Sequence, residues 1–208
     1  MIYIVRHGQT AKNKANILQG RSDIPLNGTG IRQAEETGRK FADAGVILQK
    51  VWSSPLLRAR QTAEAIAPGV PCFTDGRLIE MDYGPYEGMD LNDPAPEVLT
   101  FFRDFVHNPA PEGMEPLSDV VRRAGEFLEE IRQEAASVDL LISTHAIAMK
   151  GILEYLTPDA HGKYWSKYIG NCEVYAAEVN GDGTFSVPYQ VFGCGTAGGS
   201  LREMKTNG

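Results

Sequence analysis

The first apolar run, Ile2-Tyr3-Ile4-Val5, is short, largely β-branched and closed by Arg6, which predicts a buried strand. A polar, helix-like stretch follows over 8–15, then an irregular loop through Gln19-Gly20-Arg21-Ser22. Asn27 is a candidate N-cap for an amphipathic helix over 29–44, which Gly45 ends. Val51-Trp52-Ser53 predicts a second strand, and Pro55 marks the start of a helix over 56–66 that Pro68-Gly69 breaks. A short strand is expected over 71–74. Residues 84–117 hold six of the twelve prolines, with acidic residues around a helical 98–106, the pattern of an inserted cap rather than a core element. Beyond it come a long helix over 118–135, a buried strand over 140–143 and a helix over 146–156. Residues 172–179 and 184–192 flank Asn180-Gly181-Asp182-Gly183, a hairpin turn signal. Strands alternating with helices predict an α/β fold, a three-layer α/β/α sandwich. Its sheet is expected to be mostly parallel, with an antiparallel edge at the C-terminal hairpin and a short cap insertion. The expected organisation is one domain over 1–192, with a cap over 84–117 and a flexible tail over 193–208.

Composition narrows the class. A chain of 208 residues is long enough for one substantial core. Its 42% apolar and 23% charged residues match soluble globular proteins and exclude disordered and fibrous classes. No apolar run nears the ~18–20 residues that span a bilayer, and no secretory leader is expected ahead of the first polar cluster. Cys72, Cys172 and Cys194 are odd in number and far apart, which fits a reducing compartment, so the expected location is the cytoplasm. The net charge of −7 disfavours nucleic-acid partners. The average hides a gradient: residues 1–60 carry ten Lys and Arg against four Asp and Glu, whereas 81–120 carry Arg103 alone against nine acidic residues. An acidic protein with a basic N-terminal quarter has reason to place positive charge where an anion will sit.

Directly after the first strand stands Arg6-His7-Gly8-Gln9-Thr10, with Asn13 a turn later. A strand end, a glycine that allows close backbone approach and a helix start with free N–H groups suit an anion. Arg6 adds a bidentate donor for phosphate. His7 falls at the carboxyl end of a strand, where open α/β sheets bind ligands. Ser53-Ser54-Pro55 follows the second strand and puts Arg58 in the first turn of a helix, and Ser143-Thr144-His145 ends another buried strand at a helix start. Two histidines and two arginines are thus expected to converge on one edge of the sheet. With the carboxyl group of Glu80 they make a phosphate pocket that holds a nucleophile and an acid.

This ordered set resembles the phosphoglycerate-mutase-like branch of the histidine phosphatase superfamily. The resemblance covers about the first 150 residues. It rests on Arg6-His7-Gly8 with Thr10 and Asn13, on Gln19-Gly20, and on the segment from Asp23 to Leu26 that leads to Gly30. It continues through Ser53-Ser54-Pro55 with Arg58 and Gln61-Thr62-Ala63, Glu80 with Gly84 and Glu87-Gly88, and His145. It implies a phosphohistidine mechanism with His7 as nucleophile and Glu80 as proton donor and acceptor. It makes Arg6, Arg58 and His145 phosphate ligands assisted by Asn13, with Gly8, Gln9, Thr10, Gln19 and Gly20 completing the substrate-binding set. The family's usual His-Gly is His145-Ala146 here; alanine is small and helix-compatible, so the geometry is expected to survive, with a different substrate fit beside His145.

The chemistry asks for these residue types. Transfer of a phosphoryl group is mostly positioning and charge neutralisation, which Arg6 and Arg58 supply without a metal or other cofactor. His7 must attack as neutral imidazole, so one ring nitrogen should donate to a backbone carbonyl while the other faces phosphorus. The arginines favour that neutral form. Glu80 must carry a proton for the leaving oxygen; burial and an arriving phosphate favour the acid, and the arginines favour the carboxylate.

Other signals are expected to be empty. Gly193-Cys194-Gly195-Thr196-Ala197-Gly198 spells a dinucleotide fingerprint, but only ten residues follow it, too few for a βαβ unit. Asn27-Gly28-Thr29 is a glycosylation sequon without a secretory context. His107 and His161 are expected on the solvated surface, and Phe101, Phe102, Phe105 and Val106 in the packing of the cap against the body. The expected function is hydrolysis of a small phosphomonoester, with no nucleic-acid or membrane partner and a second copy of the chain as a candidate partner. The alternatives are a phosphoglycerate mutase and a non-catalytic phospho-ligand binding protein. A mutase must hold a second anionic end under its covering segment, and 81–120 offers only Arg103, with Arg122 and Arg123 the nearest reserves.

Overall fold

The computed structural model describes residues 1–193. Strands β1 (Ile2–Arg6), β2 (Lys50–Ser53), β3 (Cys72–Thr74), β4 (Leu140–Thr144), β5 (Val174–Ala177) and β6 (Tyr189–Phe192) form a six-stranded sheet of order β3-β2-β4-β1-β5-β6. The pairs β3–β2, β2–β4 and β4–β1 are parallel, while β5 runs antiparallel to β1 and β6 antiparallel to β5. The mostly parallel sheet with an antiparallel edge is therefore present. Apolar runs became β1 and β4 because helices cover both of their faces; all five residues of β4 are buried. The edge strand β3 is exposed along its length.

Side chains alternate across the sheet. Ile2 and Ile4 point into one layer with Phe127, Leu128 and Ile131 of α5 (Leu117–Ala135) and Met149, Ile152 and Leu153 of α6 (Ala146–Tyr155). Tyr3 and Val5 point into the other, with Ala34 and Phe41 of α2 (Gly28–Asp43) and Ala63 and Ile66 of α3 (Leu57–Ile66). A third apolar cluster sits beside the sheet. Val98 and Phe101 of α4 (Pro96–Arg103) meet Leu18, Met81, Tyr83, Met114, Val120, Ile147 and Trp165 there, which fastens the 84–117 segment to the body. Phe102 and Phe105 join as partly buried rings, but Val106 does not: it is half-exposed, because the helix has already ended.

Boundaries moved where side chains cap the backbone. The stretch expected over 8–15 yields a single turn, α1 (Ala11–Lys14), because Thr10 and Asn13 exchange side-chain-to-backbone hydrogen bonds that fix its start. Asn27 caps α2 as expected, accepting from Gly30 N at 2.8 Å. α3 starts one residue late, where Asp23 Oδ1 accepts from Leu57 N at 2.6 Å. α4 stops short because Asp104 Oδ1 accepts from Val106 N and His107 N. The turn at Asn180–Gly183 forms, with Asn180 N donating to Thr184 O at 2.8 Å, but 178–188 leaves the sheet and the paired strands are short. His107 and His161 are exposed. Among the described residues no helix is long and apolar enough to cross a membrane. The fingerprint over 193–198 and the tail over 193–208 lie, Gly193 apart, outside the described residues, as does Cys194.

Candidate active site

Strand register builds the site. Arg6 pairs with Thr144 and Ser53 with Ser143, so His7, Ser54 and His145 stand side by side just past three adjacent parallel strand ends. The ladder continues through them: His7 N donates to Thr144 O and Ser54 N to Ser143 O, both at 2.9 Å. The two imidazole rings are 5.2 Å apart. Arg58, fully buried in the first turn of α3, reaches between them, its Nε 3.3 Å from His7 Nε2 and 3.2 Å from His145 Nδ1.

These contacts settle the protonation of both rings. His7 Nδ1 donates to Gly8 O at 2.7 Å, which leaves the Nε2 lone pair toward Arg58. His145 Nε2 donates to Ser54 Oγ at 2.7 Å, which leaves Nδ1 as acceptor. Burial first, and the Arg58 charge second, hold both imidazoles well below the ordinary histidine value of 6.5. Burial also pushes Arg58 down to about 10, against the pull of Glu80, Glu87 and Asp23, so it keeps its charge at neutral pH.

Arg58 is gripped from its other side. Nη1 donates to Ser22 O at 2.7 Å and Nη2 to Gly20 O at 2.6 Å. In the amide orientation its neighbours dictate, Gln19 gives its oxygen to Arg58 Nε and Nη1 (2.7 and 2.9 Å) and its nitrogen to Thr10 Oγ1 (2.6 Å). Arg6 Nη1 donates to Ile169 O at 2.6 Å, while its Nε is buried without a hydrogen-bond partner. Glu80, also buried, accepts from Met81 N (2.9 Å) and Ala148 N (3.0 Å) at Oε1 and from Ile147 N (3.2 Å) at Oε2, so its carboxyl group sits on the first turn of α6.

One expectation needs correction here. The N–H groups of the first loop are not open to an anion: Gly8 N donates to Thr62 Oγ1, Gln9 N to Gln33 Oε1 and Thr10 N to Asn13 Oδ1. Gln9 also accepts from Asn27 Nδ2, so it braces α2 instead of facing the histidines. The N–H groups of Ile147 and Ala148 are likewise engaged by Glu80. Side chains, not helix ends, are left for the ligand. Gly8 serves close packing, since a Cβ there would stand 2.5 Å from Gly30 O.

Several residues of the site carried little signal. Ser54 belonged to a quoted motif without a role. Asn171 Nδ2 donates to His7 O at 2.9 Å from far along the chain, and nothing local marks it. Lys150 did leave a trace, a lysine inside the apolar 146–153 run. It is buried, donates to Trp165 O at 2.7 Å, lies over Phe105 and is pushed down to about 8 by burial and Arg6.

Known proteins resemble this chain to different degrees in sequence and in fold. The model of the histidine phosphatase superfamily (branch 1) matches residues 2–190. A probable phosphoglycerate mutase, GpmB, of Yersinia pestis (strain Pestoides F) is 33% identical over 161 residues, 74% of each chain. Among solved structures, the Bacillus stearothermophilus protein YhfR has a TM-score of 0.78 at 29% identity, over 89% of this chain and 94% of that one. A mycobacterial glucosyl-3-phosphoglycerate phosphatase in complex with VO3 has a TM-score of 0.79 at 21% identity, covering 93% and 99%. The likeness to that last structure is one of fold.

Proposed function

The chain belongs to branch 1 of the histidine phosphatase superfamily, and from that premise we propose that it hydrolyses a small phosphomonoester through a phosphohistidine intermediate. The observation that carries the reading is the pair of neutral imidazoles on either side of Arg58, with His7 Nδ1 tied to Gly8 O and Nε2 left nucleophilic. The substrate's phosphoryl oxygens accept from Arg58 and Arg6, and Asn13 assists; His145 joins them when Arg58 Nε turns to the phosphate and the ring proton moves to Nδ1, with Ser54 Oγ then donating to Nε2. Arg6 Nε, buried and unpartnered, gains an acceptor in this way. His7 Nε2 forms a bond to phosphorus as the P–O bond to the leaving group breaks. The proton that the leaving oxygen needs comes from Glu80, whose Oε2 has one N–H partner and keeps a lone pair for it. Water then gives a proton back to Glu80 and attacks phosphorus, releasing inorganic phosphate and free His7.

Hydrolysis is favoured over mutase chemistry because Arg21, Arg122 and Arg123, beside the cap, already have acidic partners. Arg21 pairs with Asp82 and Glu115, Arg122 with Asp119 and Glu126, and Arg123 with Glu115, and Arg103 is exposed. A second phosphate near this cap meets repulsion on the order of 1 kcal/mol per charge at about 4 Å in water. The second reading, a phosphoglycerate mutase, is favoured by the name of the Yersinia relative. A panel of sugar phosphates, phosphoglycerates, nucleotides and aromatic phosphates, assayed with EDTA and with 2,3-bisphosphoglycerate, separates the two. Phosphate release that EDTA leaves intact is expected. Bisphosphate-dependent interconversion of 2- and 3-phosphoglycerate that outruns phosphate release promotes the mutase, and loss on chelation restored by a divalent ion points to other chemistry.

A further inference from the structure

Loop 20–22 carries Arg58 on one side and a carboxylate on the other. Its carbonyls Gly20 O and Ser22 O accept from the two Arg58 Nη atoms at 2.6 and 2.7 Å. Its three successive N–H groups converge on Glu87, from Gly20 N and Arg21 N to Oε2 (2.8 and 3.1 Å) and from Ser22 N to Oε1 (3.3 Å). Ser22 Oγ donates to Oε1 as well, and Lys12 Nζ lies 3.5 Å from it. Three consecutive backbone N–H groups around one anion make a nest, and here the anion is part of the protein.

We propose that Glu87 is a positioning residue for the reaction: by filling the nest it fixes the two carbonyls that aim Arg58 between His7 and His145. The inference rests on the phosphatase reading, which makes Arg58 a phosphate ligand. The peptide between Gly20 and Arg21 is held at its N–H by Glu87 Oε2 and presents its carbonyl to Arg58 Nη2, so a shift at the carboxylate passes to Arg58 through a few bonds. The nest is tight. A Cβ at residue 20 would stand 2.5 Å from Glu87 Oε2 and 2.9 Å from Met81 O, so only glycine fits beneath the carboxylate. Burial pushes the Glu87 carboxyl up, but the bonds from Ser22 Oγ, Gly20 N and Ser22 N outweigh it and keep the group ionised. The segment bearing Glu87 is itself pinned to the chain ahead of the loop, with Gly88 N donating to Leu18 O at 3.0 Å and Leu18 N to Met89 O at 2.8 Å. The base of the cap thereby sets the arginine that grips phosphate.

A merely structural Glu87 would hold the cap and lower the unfolding temperature when replaced, whatever residue 58 is. A double-mutant cycle separates the two roles, read as binding of inorganic phosphate to the full chain by calorimetry. Glu87→Gln in the wild-type background is expected to weaken phosphate binding about tenfold, and less than about twofold in an Arg58→Ala background, as expected for coupling within one hydrogen-bonded network. Ser22→Ala, which removes one donor to Oε1 and leaves the backbone nest intact, supplies a milder variant whose loss must also vanish with Arg58→Ala. Equal losses in both backgrounds, with Arg58→Ala itself weak, overturn the positioning role and leave the phosphatase reading standing. Wild-type phosphate affinity in Arg58→Ala overturns that reading and the inference with it.

Discussion

His7 and His145 are neutral because they are buried beside a cation, and this has a consequence for stability. The unfolded chain binds protons at both histidines below pH 6.5, whereas the native chain binds them only at much lower pH. Unfolding free energy should therefore rise with pH through the region below 6.5 and level off above it, with a slope of about 1 kcal/mol per pH unit for each histidine. Urea melts between pH 5 and 7.5 check this; a flat profile contradicts the burial of neutral imidazoles. The residues that carry the chemistry were legible where they follow strands. His7 and His145 occupy the first position after strands β1 and β4, and Arg58 the first turn after Pro55. Asn171 and the roles of Ser54 and Glu87 were not, because each acts through a contact distant in sequence, such as Asn171 with the carbonyl of His7.

At the scale of elements, two packings hold the site. The loop after β1 lies on the first turn of α2, where a Cβ at residue 8 meets Gly30 O at 2.5 Å and one at residue 30 meets Gln9 O at 2.1 Å. Gly8→Ala is expected to displace His7 and lower kcat/KM about a hundredfold, measured against the unfolding temperature; unchanged kinetics contradict the close approach. The cap is held by α4, whose Phe101 is fully buried. Phe101→Ala should destabilise by about 3–5 kcal/mol if the cap unfolds with the body, and a separate early transition in calorimetry would show that it does not. Helices were legible from period and breakers. Three of their ends were not, since Thr10, Asp23 and Asp104 shift them through hydrogen bonds that periodicity does not contain. The expected anion cradle of backbone N–H groups failed for the same reason: side chains of Thr62, Gln33, Asn13 and Glu80 had already taken them.

Across the whole molecule, the order β3-β2-β4-β1-β5-β6 brings residues from positions 7, 54 and 145 to one edge. The parallel layers were legible because β1 and β4 are continuous apolar runs, while the register that aligns His7 with His145 is a property of pairing and appears only in the fold. The basic N-terminal quarter places Arg6 and Arg58 at that edge, while Arg21 and Arg123 beside the cap are tied into ion pairs. The proposed mechanism requires a covalent bond from phosphorus to His7. Rapid quench of the enzyme with an isotopically labelled phosphomonoester it hydrolyses should trap label in a base-stable, acid-labile adduct that precedes inorganic phosphate and is absent in His7→Ala. Turnover with no such adduct, together with a full rate in His7→Asn, would contradict it.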